Sequence, residues 1–294
     1  MLLTNSFLDY LLYERNYSVN TVEGYRVDIL QFEEFCKKEC QEISPEEVMA
    51  ELVRDWIVDL MDEGYSASSV NRKLSSLRTY YKYLLRKKKV AVDPLQKVVA
   101  PKKGKQLPVF LKEKELDLLL DGDAFDDDFE GCRDRLILEM FYATGMRRAE
   151  LMGLKDEDVD LSALMIKVTG KRNKQRLIPF GSRLGELIKE YVDKRAGLET
   201  DRVEAFFIRK SGKSLYPALV NQIVKRNLSK VVTVKKKSPH VLRHTFATAM
   251  LNHGAELASI KELLGHESLA TTEIYTHTTF EELKKVYNQA HPRA

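Results

Sequence analysis

Along the first 90 residues, apolar positions recur at helical spacing: Leu8, Leu11 and Leu12, then Val22, Ile29, Phe32 and Phe35. Ser44-Pro45-Glu46-Glu47 has the form of a helix start, with a Ser cap, Pro in the first position and Glu three residues after the cap. The helix it predicts carries Trp56, Ile57 and Leu60. Another is predicted from about Ser68 to Lys87, with Val70, Leu74, Leu77, Tyr81 and Leu84 as its apolar stripe. Its other face holds Asn71, Arg72, Lys73, Arg78 and Lys82. The pattern predicts an all-helical unit over 1–90 with four helices, the last pair offering a basic surface. An ordinary bundle with polar outer faces has the same periodicity.

Residues 91–108 hold Pro94, Pro101, Gly104 and Pro108 among lysines, a composition that breaks helices and predicts an extended basic linker. A second unit, 109–294, opens with helical patterns at 112–120 and 126–143. Leu164–Val168 and Arg176–Pro179 read as two strands around the polar turn 170–174, and helices dominate the rest. The predicted fold class is mainly α. A helical N-terminal domain is followed by a mixed α/β, mostly helical domain with a small β-sheet.

A length of 294 residues and a hydrophobic fraction of 44% suit two domains with ordinary cores. No apolar run is long enough for a membrane span, and the first residues lack the basic start of a signal peptide. Cys36, Cys40 and Cys132 read as reduced structural thiols, which places the protein in the cytoplasm. The net charge of +4 is modest, but its distribution is uneven. From Arg86 to Lys105 the chain has eight bases and one acid, Asp93, in contrast to the acidic stretch 121–130. Such a run, with Lys87, Lys88 and Lys89 at its head, is either a solvated linker or a contact for a phosphate backbone.

The C-terminal half carries Arg147, Lys171, His240, Arg243, His266 and Tyr275 in that order. Two cations can hold the non-bridging oxygens of a phosphate, a lysine and two histidines can hold or move protons, and a tyrosine can attack and remain attached. Arg147 follows Thr144-Gly145 where one apolar helix ends and another begins, a favourable place for a phosphate. An ion pair with Glu150, three residues on, is the plainer reading of that arginine. Lys171, Arg172, Lys174 and Arg176 crowd one hairpin tip, as a phosphate clamp would require. Ser238-Pro239 predicts a helix start, with His240 and Arg243 on one face of its first turns. His240 and His244 also have the spacing of a two-histidine metal pair, but no carboxylate or Cys follows at a suitable distance. Gly265 predicts a left-handed helix end just before His266.

The segments T144-G-M-R-R-A-E-L151, T169-G-K-R-N-K-Q-R176, H240-V-L-R-H-T-F246 and L263-L-G-H-E-S-L-A-T-T-E-I-Y-T-H277 together resemble the catalytic domain of the tyrosine recombinases. The ending H291-P-R-A294 narrows the resemblance to the Xer branch. The resemblance covers essentially the whole chain and implies a SAM-like, DNA-binding N-terminal domain. It implies site-specific cutting and rejoining of DNA through a 3′-phosphotyrosine on Tyr275, with Arg147, Lys171, His240, Arg243 and His266 as catalytic partners and Glu150 in support. DNA contacts would fall to Asn71, Arg72, Lys73, Arg78, Lys82, Lys87, Lys88, Lys89, Arg172 and Lys174. The family usually has Gly where Arg172 stands, which leaves the turn geometry open, with Lys174 as the alternative to Lys171.

No cofactor is implied, neither metal nor ATP. The implied partners are duplex DNA with paired half-sites, a homo- or heterotetramer with a related recombinase, and a septal DNA translocase. The implied role is resolution of chromosome or plasmid dimers. Residues 281–294, with Leu283, Val286 and Tyr287 as anchors, resemble the short helix that family members pass to a neighbour; the alternative is a helix folded back on its own domain. Its apolar side chains are few and near the chain end, so removing it is expected to leave the domain folded. The rival readings are a mobile-element integrase or DNA invertase with the same chemistry, a type IB topoisomerase, and a non-catalytic DNA-binding protein.

Overall fold

The computed structural model describes residues 2–40, 43–104, 109–170, 173–198, 203–232, 236–265 and 277–294. The chain divides into two compact units, 1–106 and 107–294. In the first, α1 (Leu2–Asp9) runs into a π-turn at Tyr10–Glu14, followed by α2 (Val19–Cys40), α3 (Ala50–Asp62) and α4 (Ala67–Arg86). Phe7, Leu11, Ile29, Phe32, Trp56 and Leu60 meet the α4 stripe of Val70, Leu74, Leu77, Tyr81 and Leu84 in one core. Ser66 caps α4 through the amide of Ser69.

Three details of this unit depart from the sequence expectation. The Ser44 signal closes a single turn, with Glu47 accepting from the Ser44 amide at 2.8 Å, and α3 begins only at Ala50. Val48 is buried there and Tyr81 donates to the Pro45 carbonyl at 3.3 Å, so core packing takes the chain out of helical geometry before α3 starts. Lys73 is not on the outer face of α4: it is 4% exposed and donates to Asp28 on α2. It stands three residues after Val70 and four before Leu77, so helical spacing sets it on the apolar stripe. The proline- and lysine-rich stretch is anchored at its start, because Leu95 and Val98 are buried in the core of this unit. Asn71 and Arg78 also donate to the carbonyls of Pro101 and Val98.

The second unit begins with α5 (Glu113–Asp121), α6 (Phe129–Thr144) and the short α7 (Arg148–Met152). Strands β1 (Val159–Asp160), β2 (Met165–Thr169) and β3 (Gln175–Pro179) form an antiparallel sheet in that order. Then come α8 (Ser182–Ala196), α9 (Pro217–Leu228), α10 (Pro239–Asn252), α11 (Leu257–Leu264) and α12 (His277–Ala290). Helix α6 is buried all round from Leu136 to Thr144, which explains why it lacks a polar face. Among the described residues no helix is long and apolar enough to cross a membrane.

Helix α12 packs on its own unit. Leu283, Tyr287 and Ala290 are buried with Phe246, Met250, Ile260, Leu263 and Leu264. The tail beyond the helix is held as firmly. His291 is 5% exposed and stacks on Tyr287 with centroids 5.0 Å apart. One ring nitrogen faces the Tyr142 carbonyl and the other accepts from the Arg293 amide, which selects the neutral imidazole with Nε2 protonated. Burial holds its pKa down to about 3, in keeping with that neutral form. Arg293 donates to Glu139, Asp117 and Asp121 at 2.8–3.2 Å. The segment is anchored more firmly than its few apolar side chains suggest, because His291 and Arg293 add buried contacts to those of Leu283 and Tyr287.

Replacing Arg293 with Met is expected to destabilise the unit by about 3–5 kcal/mol, because Glu139, 1% exposed, would keep a buried charge without its partner. Urea melts of the Arg293→Met variant check this, and an unchanged midpoint would contradict the anchoring role.

Candidate active site

Arg147 and Arg243 converge at the C-terminal end of α11. Gly145 ends α6 in the left-handed region, at φ 59°. The turn then delivers Arg147 as the residue capping α7. A Cβ at Gly145 would lie 2.6 Å from Phe246 and 2.8 Å from Leu264, so both φ and space demand glycine there. Gly265 ends α11 in the same conformation, at φ 63°, as its sequence position predicts.

A helix end leaves carbonyls without partners and carries partial negative charge. Here three arginines take them. Arg176 Nε donates to Leu263 O at 2.7 Å, Arg243 Nη2 to Leu264 O at 2.7 Å, and Arg147 Nη2 to Gly265 O at 2.8 Å. Arg243 reaches across from the second turn of α10 and also donates to Gly145 O. The segment that leads directly into His266 is thus held by three guanidinium groups from three different elements.

Glu150 is the one acid in contact with this cluster among the described residues. Its carboxylate accepts from Arg147 Nη1 and the Arg147 amide, each at 2.7 Å, and from Arg176 through both terminal nitrogens at 2.9 Å. Burial opposes its ionisation, but Arg176 and then Arg147 outweigh that and hold the carboxyl at about 2. Arg147 therefore pairs with Glu150, as the plainer reading expects, and its side chain is still 39% exposed.

Arg243 stands differently. Its described hydrogen bonds go to two carbonyls and none to a carboxylate. Burial pushes its pKa down to about 10, with Arg147 and Arg176 repelling it further. Among the described residues, three cations beside one carboxylate leave an excess of positive charge, and an anion bound against Arg147 and Arg243 would neutralise it.

His240 projects exposed from the first turn of α10, one turn before Arg243. Lys174 is exposed near the hairpin tip, and Lys174 O accepts from the Gly170 amide at 2.7 Å to close the hairpin. Lys171, Arg172, His266 and Tyr275 lie outside the described residues. In the first unit Lys82, Lys87, Lys88 and Lys89 are exposed. Arg72 is exposed as well but pairs with Asp28, and Lys73 is buried against the same carboxylate. Asn71 and Arg78 are only partly exposed and spend donors on the chain that follows α4.

The residue that sequence reasoning misplaced is Arg176. It was counted among the bases of the hairpin tip, yet it is 6% exposed and faces the site. The signal was present: in a strand, side chains alternate, so Arg176 shares the inward face of Ile178.

Comparison with known proteins gives this geometry its setting. Residues 109–282 match the phage integrase family, and residues 4–88 match the phage integrase N-terminal SAM-like domain. Among curated relatives, the tyrosine recombinase XerC of Chlorobaculum tepidum is 41% identical, over 98% of this chain and 94% of its own length. The tyrosine recombinase XerC of Listeria monocytogenes serotype 4a is 39% identical, over 99% and 98%. Among solved structures, the XerH site-specific recombinase bound to palindromic difH substrate shares the fold with a TM-score of 0.72 at 24% identity, covering 92% of this chain and 80% of that one. The arginine cluster and hairpin, set in a helical domain behind a SAM-like unit, agree with these matches: the chain belongs to the phage integrase family of site-specific tyrosine recombinases.

Proposed function

We propose that the protein cuts and rejoins duplex DNA with Tyr275 as the nucleophile. The Tyr275 hydroxyl attacks a scissile phosphorus and passes its proton to His240. The bond from phosphorus to the 5′ oxygen breaks, and Lys171 gives that oxygen a proton to release a 5′ hydroxyl. The DNA strand is left on the enzyme as a 3′-phosphotyrosine, and attack by a different 5′ hydroxyl completes the exchange. Arg147 and Arg243 neutralise the charge that gathers on the equatorial oxygens, and His266 donates a hydrogen bond to the same phosphate. The observation that carries this reading is the buried guanidinium of Arg243 beside Arg147, which no carboxylate among the described residues meets.

The XerC names of the relatives, at about 40% identity over nearly the full chain, support a role in resolving chromosome or plasmid dimers at a specific site. In that role two DNA sites and four protomers assemble, with a related recombinase as partner and a septal translocase as activator. The protein acts in the cytoplasm, where the chromosome lies. The exposed Lys82, Lys87, Lys88, Lys89 and Lys174, with Arg172, supply phosphate contacts that position the duplex without reading its sequence. Helix α12 exchanges between neighbours, each entering a groove identical to the one it fills here.

The test is to incubate the protein with sheared genomic DNA of its source organism in excess EDTA and recover DNA that survives SDS and phenol. Adducts enriched at one short site are expected, since the arginines do the work a metal ion does elsewhere. Adducts that form only when Mg²⁺ or Zn²⁺ is added would contradict the reading.

A further inference from the structure

We propose that Arg176 is a positioning residue for this cleavage reaction, locking Glu150, and through it Arg147, to the end of α11 that leads into His266. The proposal rests on the reading of the site given above and adds a residue to it.

The geometry is directional in a way that a simple ion pair is not. Both oxygens of Glu150 are shared between the same two arginines: Oε1 takes Arg147 Nη1 and Arg176 Nη1, and Oε2 takes the Arg147 amide and Arg176 Nη2. The Arg176 fork thereby fixes the plane of the carboxylate, and the carboxylate fixes the guanidinium of Arg147. The third nitrogen, Nε, donates to Leu263 O. The flank of its guanidinium lies against the turn at Gly265, where a Cβ would meet Arg176 atoms at 3.1–3.3 Å. If Glu150 needed only a counter-charge, Arg147 would supply it. The second arginine makes the arrangement rigid.

Arg176 also ties this end of the site to the lysine hairpin. It stands on β3 opposite Val168, one residue after the Thr169–Gln175 pair from which the hairpin tip extends. One buried side chain thus links Arg147, the end of α11 and strand β3 of the hairpin. A lysine in its place keeps the charge but has no planar fork and cannot hold two carboxylate oxygens and a carbonyl at once. The orientation of Arg147 would be lost, and a displacement of that kind costs on the order of 10- to 100-fold in rate.

The test uses the full-length protein and a nicked duplex carrying the site recovered from wild-type adducts, made once with a normal scissile phosphate and once with a neutral methylphosphonate there. Wild type, Arg147→Ala, Arg176→Lys and the double variant are compared by single-turnover adduct formation, DNA affinity and melting temperature. Arg176→Lys is expected to bind DNA normally and to form adducts roughly 10-fold or more slowly on the phosphate. Its defect should shrink severalfold on the methylphosphonate, because a neutral phosphate lacks the charge that Arg147 is aligned to meet. The double variant should be no slower than Arg147→Ala, since both changes disable one unit.

Wild-type cleavage by Arg176→Lys would overturn the proposal and leave the wider reading intact. So would an equal defect on both substrates, or a loss of rate matched by loss of DNA binding or by melting below the assay temperature, each of which marks a structural residue only. Failure of the wild type itself to form adducts would instead remove the cleavage reading, and this inference with it.

Discussion

Changing Tyr275 to Phe is expected to abolish covalent protein–DNA complexes while leaving DNA affinity unchanged. The aromatic ring is retained; only the oxygen proposed to attack phosphorus is removed. The affinity of such proteins for duplex DNA is carried mainly by cations on phosphates, which this change does not touch. Gel shifts and denaturing gels on the same nicked duplex separate the two effects. A variant with normal affinity and a persistent adduct would show that another side chain is the nucleophile.

The second large effect is expected at Arg243. Replacing it with Ala should slow cleavage by roughly 100- to 1,000-fold, the range seen when a preorganised donor to a developing oxyanion is lost. The guanidinium is 9% exposed, lies between Gly145 O and Leu264 O, and has no carboxylate partner among the described residues. Because Ala would also leave those two carbonyls unpaired, Arg243→Lys belongs beside it. Lysine keeps the charge and loses the fork, and it should restore part of the rate without reaching wild type. Single-turnover rates at saturating DNA check this. An Arg243→Ala variant that cleaves within threefold of wild type would remove the arginine from the chemistry.

The fold was legible where local chemistry and global packing agree. The apolar stripe of α4, the two strands of the hairpin, the helix end at Gly145 and the left-handed end at Gly265 stand where their residues predict. It was illegible where a distant partner decides. Ser44-Pro-Glu-Glu forms its capping turn, but Val48 and Tyr81 pull the chain away from helix before α3 begins. Lys73 reads as a surface base until Asp28, on another helix, draws it inward. The tail reads as a sparse helix until Glu139, Asp117 and Asp121 receive Arg293.

The site divides in the same way. Its residue types and order were plain in the chain, and Glu150 was recognised from its spacing to Arg147. The second partner of Glu150 lies 26 positions away on a strand, and only strand alternation marks it as inward-facing. His266 and Tyr275 were legible from their sequence context, next to the left-handed helix end at Gly265.

The most direct measurement is to digest the trapped protein–DNA adduct and identify the attached residue by mass spectrometry. The account predicts one modified peptide, carrying a nucleotide 3′-phosphate on Tyr275, with a free 5′ hydroxyl on the released strand. A nucleotide joined through its 5′ phosphate, or joined to any residue other than Tyr275, would contradict it.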